Sequence, residues 1–172
     1  MEILKSDVSK LKSISSSPPT TSGTLETMMS EIRERQERSK NIIIMGVSEP
    51  LSDNIDERKS LDRKEVLKIT GILNPDCLEP TYIVRIGKFN SNKHRPIKVC
   101  YGAQDTVKSL LRNKSNIKLD GLKVFSDQTP QQQMYMKHLK EQLKQRSDDG
   151  DRDLTINYIK GVPKIIKILP KH

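Results

Sequence analysis

"NIIIMGV", Asn41 to Val47, is the stretch on which the reading of this chain turns. Three consecutive isoleucines follow "EIRERQERSK", a run of alternating charge, and a glycine interrupts them one residue after Met45. A short β-branched run bounded in this way reads as a strand. Side chains alternate along a strand, so Ile42 and Ile44 are expected on a buried face, with Ile43 and Met45 opposite them. If that second face is covered, this is a plain core strand. If it is open, it is a platform, and the charge around it says for what.

Outward from this strand, the pattern alternates between strand and helix. "DRKEVLKITGIL" reads as a helix, with Asp62 and Glu65 spaced like a capping box and Val66, Ile69 and Leu73 facing inward. "YIVRIGK" and "RPIKVCY" read as strands separated by the polar loop "FNSNKH". "AQDTVKSLLRN" reads as a short helix with Ala103, Val107, Leu110 and Leu111 inward, and "LKVFS" as the last strand. The order is β-α-β-β-α-β, which predicts an α+β, ferredoxin-like domain over residues 41–127. Several unrelated functions share that topology, so it decides none of them.

Residues 1–40 read as a polar helical segment. Leu4, Val8, Leu11 and Ser15 share one helical stripe, and Leu25, Met29, Ile32 and Gln36 share another. Between them "SSSPPTTSG" is expected to break the helix at Pro18, Pro19 and Gly23. Glu31 with Arg35, and Glu34 with Arg38, are spaced for i,i+4 ion pairs. The segment is either a solvated helix leading into the first strand or a coiled-coil remnant. Residues 128–172 predict a small helix-plus-hairpin unit. Thr129 is its expected N-cap, with Pro130 in the first turn and Gln132 completing a capping box. Tyr135, Leu139 and Leu143 form its apolar stripe. "LTINYIKGVPKIIKI" reads as a hairpin turning at Lys160-Gly161, with Pro163 on an edge.

Composition narrows the function classes. Of the 172 residues 33% are hydrophobic and 31% charged, too lean for one core that uses the whole chain. The formal net charge of +9 favours a polyanionic partner, by release of counterions from phosphates or by attraction to an anionic membrane. No apolar run is long enough to span a bilayer, and no signal-type segment follows Met1. Cys77 and Cys100, with His94, His138 and His172, have no metal-ligand spacing, so no metal and no cofactor is expected. "SDDGD" (Ser147 to Asp151) clusters carboxylates, but Asp and Gly are ordinary turn formers and no nucleophile-base pair accompanies them. An enzyme is not expected.

Sorting side chains by face yields the candidate site. Tyr82, Val84 and Ile86 are expected inward, which turns Arg85 outward. Lys98, Lys123 and Phe125 are expected outward with it, beside Ile43 and Met45, and Lys88 ends the same "VRIGK" stretch. Cations beside a soft apolar platform suit single-stranded nucleic acid. Cations on exposed strands also serve simply to discourage edge pairing. The aromatics that an ordinary RNA-recognition module carries on its two central strands are absent from the outward positions of "IIIMGV" and "RPIKVCY".

"NIIIMGVSE", "VRIGK", "RPIKV", "LRNK" and "FSDQTPQQQ", in this order, resemble the RNA-binding first-open-reading-frame protein of LINE-type non-LTR retrotransposons, the insect-like versions above all. The resemblance spans roughly Glu31 to Ile166. It implies a coiled coil, an atypical RNA-recognition domain and a small C-terminal domain that clamps the strand against the sheet. It implies a trimer, sequence-independent binding of single-stranded RNA (with DNA as the second polyanion), nucleic-acid chaperoning, and a cytoplasmic ribonucleoprotein that also reaches the nucleus. It carries the basic roles onto Arg85, Arg95, Lys123, Lys160 and Lys164, and the shortness of "KIIKILPKH" suggests a truncated copy. The alternative is a protein-interaction module that uses the N-terminal helix and has no nucleic-acid role.

Overall fold

The structure, a computed structural model, describes residues 21–89 and 93–168. The chain divides into two compact units, Met1–Arg33 and Glu34–His172. The expected stripe from Leu4 to Ser15 and the Pro18-Pro19 break lie outside the described residues. Helix α1 runs Thr21–Arg38, so Gly23 is inside a helix it was expected to end, and the Thr27 hydroxyl donates to the Gly23 carbonyl at 2.8 Å.

The larger unit is mixed α+β with antiparallel sheets. Strands β1 (Asn41–Met45), β2 (Tyr82–Arg85), β3 (Ile97–Cys100) and β4 (Lys123–Ser126) form one sheet in the order β2-β3-β1-β4. Helices α2 (Ile55–Leu73) and α3 (Gln104–Arg112) connect them, and a short 3-10 turn, Lys114–Asn116, follows α3. Ile42, Ile44, Ile97 and Val99 are fully buried and Val124 nearly so, against Val66, Ile69 and Leu73 of α2 and Val107 and Leu110 of α3. The expected inner faces of β1, β3, β4 and α2 are therefore correct. Ala103 is the exception in α3: it is the exposed N-cap, carried out of the core by its extended backbone.

Helix α2 starts seven residues before Asp62. Its true N-cap is Asn54, whose side chain accepts from the amides of Asp56 and Glu57, two acids well placed against the helix dipole. Asp62 is thus a mid-helix residue, free to reach sideways.

Helix α4 (Pro130–Asp148) has the capping box that was expected. The Thr129 hydroxyl accepts from the Gln132 amide at 3.2 Å, and the Gln132 side chain accepts from the Thr129 amide at 3.0 Å. "SDDGD" closes this helix: Asp149 is the C-cap, and the Asp151 carboxylate accepts from Arg146 at 2.8 Å. Strands β5 (Leu154–Ile159) and β6 (Val162–Lys167) form the hairpin, with positive φ at both Lys160 and Gly161, as a two-residue turn of the twisted type demands. It packs on α4, where the Tyr135 hydroxyl donates to the Pro163 carbonyl at 3.4 Å.

Where β1 ends, Gly46 has φ +89, and a Cβ there would lie 2.2 Å from the Gly121 carbonyl oxygen. Gly87 also has positive φ but faces open space. Gly46→Ala is expected to lose at least about 2 kcal/mol of unfolding free energy and Gly87→Ala about 1 kcal/mol. Denaturant unfolding of both variants checks this, and equal losses would mean that the Gly121 contact yields freely.

Candidate functional site

Strand register decides which side chains share a face, because directly paired residues point the same way. Ile97 and Val99 are buried, and they pair with Ile44 and Ile42 on one side and with Arg85 and Ile83 on the other. Arg85 therefore lies on the helix side of the sheet. The expectation for β2 is reversed. Tyr82 and Val84 face outward, where they join Asn41, Ile43, Met45, Lys98, Cys100, Lys123 and Phe125.

The reason is electrostatic. The Arg85 side chain is only 5% exposed, yet each of its N–H groups has an acceptor. Its Nε and Nη2 donate to the Asp62 carboxylate at 2.9 and 2.7 Å. Nη2 also donates to the Ser48 carbonyl at 2.6 Å, and Nη1 to the carbonyls of Val47 and Arg95 at 3.1 Å each. Glu49 is 3.4 Å away. A buried guanidinium is tolerated only with such a complete set of partners.

Arg95 is committed to the same network. Its Nε and Nη2 fork onto Glu49 at 3.0 and 2.9 Å, its own amide donates to the same carboxylate, and its guanidinium sits 5.8 Å from the Phe89 ring centre. Hydrogen bonds from Arg95, reinforced by the charge of Arg85, hold the Glu49 carboxyl down to about 2. Arg85, Arg95, Glu49 and Asp62 sum to zero.

A second neutral cluster lies at the opposite end of the sheet. Asp127, just beyond β4, is 8% exposed. It accepts from Arg38 at 2.7 Å, from the Asn41 amide group at 3.0 Å and from Lys98 at 3.1 Å. Burial alone would raise its carboxyl, but the bonds from Asn41, Lys98 and Arg38 bring it below the usual range. Arg38 also donates to Glu34 at 2.8 Å. Lys98 is on the expected face, with its charge engaged.

What stays open is apolar and aromatic in the middle and basic at one end. Tyr82 is 59% exposed, Phe125 43% and Met45 40%. Lys123 and Lys88 are exposed and make no ion pair among the described residues. They stand where β2 ends and β4 begins, with Lys93 in the following loop. Lys160 and Lys164 are exposed on the hairpin rather than on the four-stranded sheet, and Lys164 borders a hollow of about 500 Å³ with Tyr135, Leu139 and Arg146. Both cysteines are free and partly buried.

Tyr82 and the Arg38–Asp127 pair were missed in the sequence. Tyr82 belongs to the more apolar phase of "YIVRI" and so read as core. Asp127 is flagged by nothing local, because its partners lie far away along the chain. No described helix is long and apolar enough to cross a membrane. The chain matches no protein-family model and no curated protein.

The carboxyl of Glu49 lies near 2 in the fold against an ordinary 4.5, so its stabilisation is complete above about pH 4.5 and is lost as pH falls toward 2. Unfolding free energy measured across that window is expected to drop by on the order of 2 kcal/mol more in the parent than in Glu49→Gln. Parallel profiles would show that Glu49 is not the titrating group.

Proposed function

We propose that the chain binds single-stranded nucleic acid without chemistry, laying bases on the open face of the four-stranded sheet and passing phosphates to Lys88 and Lys123. The observation that carries this is the open face itself: Tyr82 and Phe125 on its two outer strands, Ile43 and Met45 between them, and unpaired cations at one end. Unstacked bases need flat or soft surface, and their backbone needs charge nearby. The element order and the strand order β2-β3-β1-β4 agree with a ferredoxin-like split βαβ, which supports reading the unit as an atypical RNA-recognition domain. The resemblance to the LINE-type first-open-reading-frame protein favours RNA over DNA, and a cytoplasmic ribonucleoprotein as the setting.

The geometry shifts the weight within this reading. Arg85, Arg95, Lys98 and Arg38 are engaged by carboxylates in two neutral clusters, so the formal +9 is carried by other residues and these four cations are not free for phosphates. Base stacking then matters more than a count of cations suggests. In fluorescence anisotropy with a uridine oligonucleotide, Tyr82→Ala and Phe125→Ala are each expected to weaken binding roughly five- to a hundredfold without changing the salt slope. Lys123→Ala is expected to flatten that slope by about 0.7. If both aromatic variants bind like the parent, the sheet face is not the site.

One observation favours assembly as a second role. Within α1, Leu25, Met29 and Ile32 are 58%, 56% and 51% exposed on one stripe, the pattern of a helix that pairs with its own copy. In sedimentation velocity, replacing all three by Glu is expected to reduce an oligomer, a trimer by the resemblance, to monomer. A parent that already sediments as a monomer removes this role.

A further inference from the structure

Charge is unevenly divided along the open face. Lys123 lies on it opposite Met45, at the end where β1 and β2 finish, and Lys88 and Lys93 lie in the loop beyond β2. Asp127 lies at the other end, four residues beyond Lys123 and so about 13 Å away along an extended strand. There Arg38, Lys98, Asp127 and Glu34 cancel.

The Asp127 carboxylate is held where a bound phosphate would otherwise be held. One oxygen takes Arg38 Nη1, and the other takes Lys98 Nζ and Asn41 Nδ2. Those are the donors an incoming phosphate would seek, and both cations keep 31% of their side-chain surface exposed, within its reach. A phosphate arriving there meets a fixed negative charge and a cation pair already neutralised.

We infer that Asp127 is a specificity-determining residue that occupies the Arg38–Lys98 site in place of phosphate and so directs the nucleic-acid backbone to the Lys88–Lys123 end. This rests on the sheet-face reading above. It makes the Tyr82 end of the sheet selective for uncharged parts of the strand. Asp127→Asn would keep the shape and the Asn41 contact while removing one negative charge, leaving Lys98 without a carboxylate and Arg38 with Glu34 alone.

Four proteins test it: the parent, Asp127→Asn, Lys98→Met and the double variant, each checked by thermal unfolding. With a uridine oligonucleotide at low salt, Asp127→Asn is expected to tighten binding at least about threefold and to steepen the salt slope by about 0.7 for each phosphate admitted. Lys98→Met alone is expected to change affinity less than about twofold, and in the Asp127→Asn background to cancel the gain. A folded Asp127→Asn with the parent's slope overturns the inference. So does a loss beyond about tenfold in Lys98→Met alone, whether or not Asp127→Asn folds. A second measurement needs no oligonucleotide: inorganic pyrophosphate is titrated while the NMR amide signals of Arg38 and Lys98 are followed. Movement in Asp127→Asn but not in the parent supports the occupation of the Arg38–Lys98 site by Asp127; if no variant then binds RNA, the sheet-face reading falls and takes with it the direction of a strand. Equal movement in both overturns it.

Discussion

A single buried guanidinium orders one side of this domain. Arg85 sits beneath the sheet opposite Ile97, with five donors satisfied by Asp62, three carbonyls and the nearby Glu49. Those partners come from α2, from the segment after β1 and from the entry to β3. Fixing Arg85 inward fixes the phase of β2, since its side chains alternate strictly. Tyr82 must then face solvent. An ion-pair network on the hidden face thus creates the aromatic surface on the open one.

The same accounting separates charge from platform. Four of the cations that make the sequence look basic are committed to carboxylates, in two clusters that each sum to zero. Lys88, Lys93 and Lys123 remain at one end of the sheet, and the exposed aromatic and aliphatic side chains occupy its middle and outer strands. Such a surface differs from a uniformly basic groove. A nucleic-acid strand laid on it, as proposed, would be oriented by the charge gradient and held by stacking.

What could be read from the sequence was local. The alternation of Ile42, Ile43 and Ile44, the Thr129–Gln132 capping box and the Lys160-Gly161 turn involve neighbours a few residues apart, and each is found as expected. The start of α2 is also local, but two similar spacings compete for it, and the cap forms at Asn54 with Asp56 and Glu57 rather than at Asp62. The phase of β2 was not local. "YIVRI" has its more apolar phase outward, because the charge of Arg85 is stabilised by Asp62, 23 residues earlier, and by Glu49. No alternation rule contains that information. Asp127 was hidden for the same reason: its meaning depends on Arg38, Asn41 and Lys98 meeting at one corner of the sheet.

Photo-crosslinking a 4-thiouridine oligonucleotide to the full chain, followed by peptide mapping, tests the central claim most directly. Crosslinks are expected at Tyr82 and Phe125, with the peptide around Lys123 also marked. Crosslinks confined to the exposed cations Arg112 at the end of α3 and Lys114 and Lys118 beyond it, or to the hairpin at Lys160 and Lys164, would contradict a site on the open sheet.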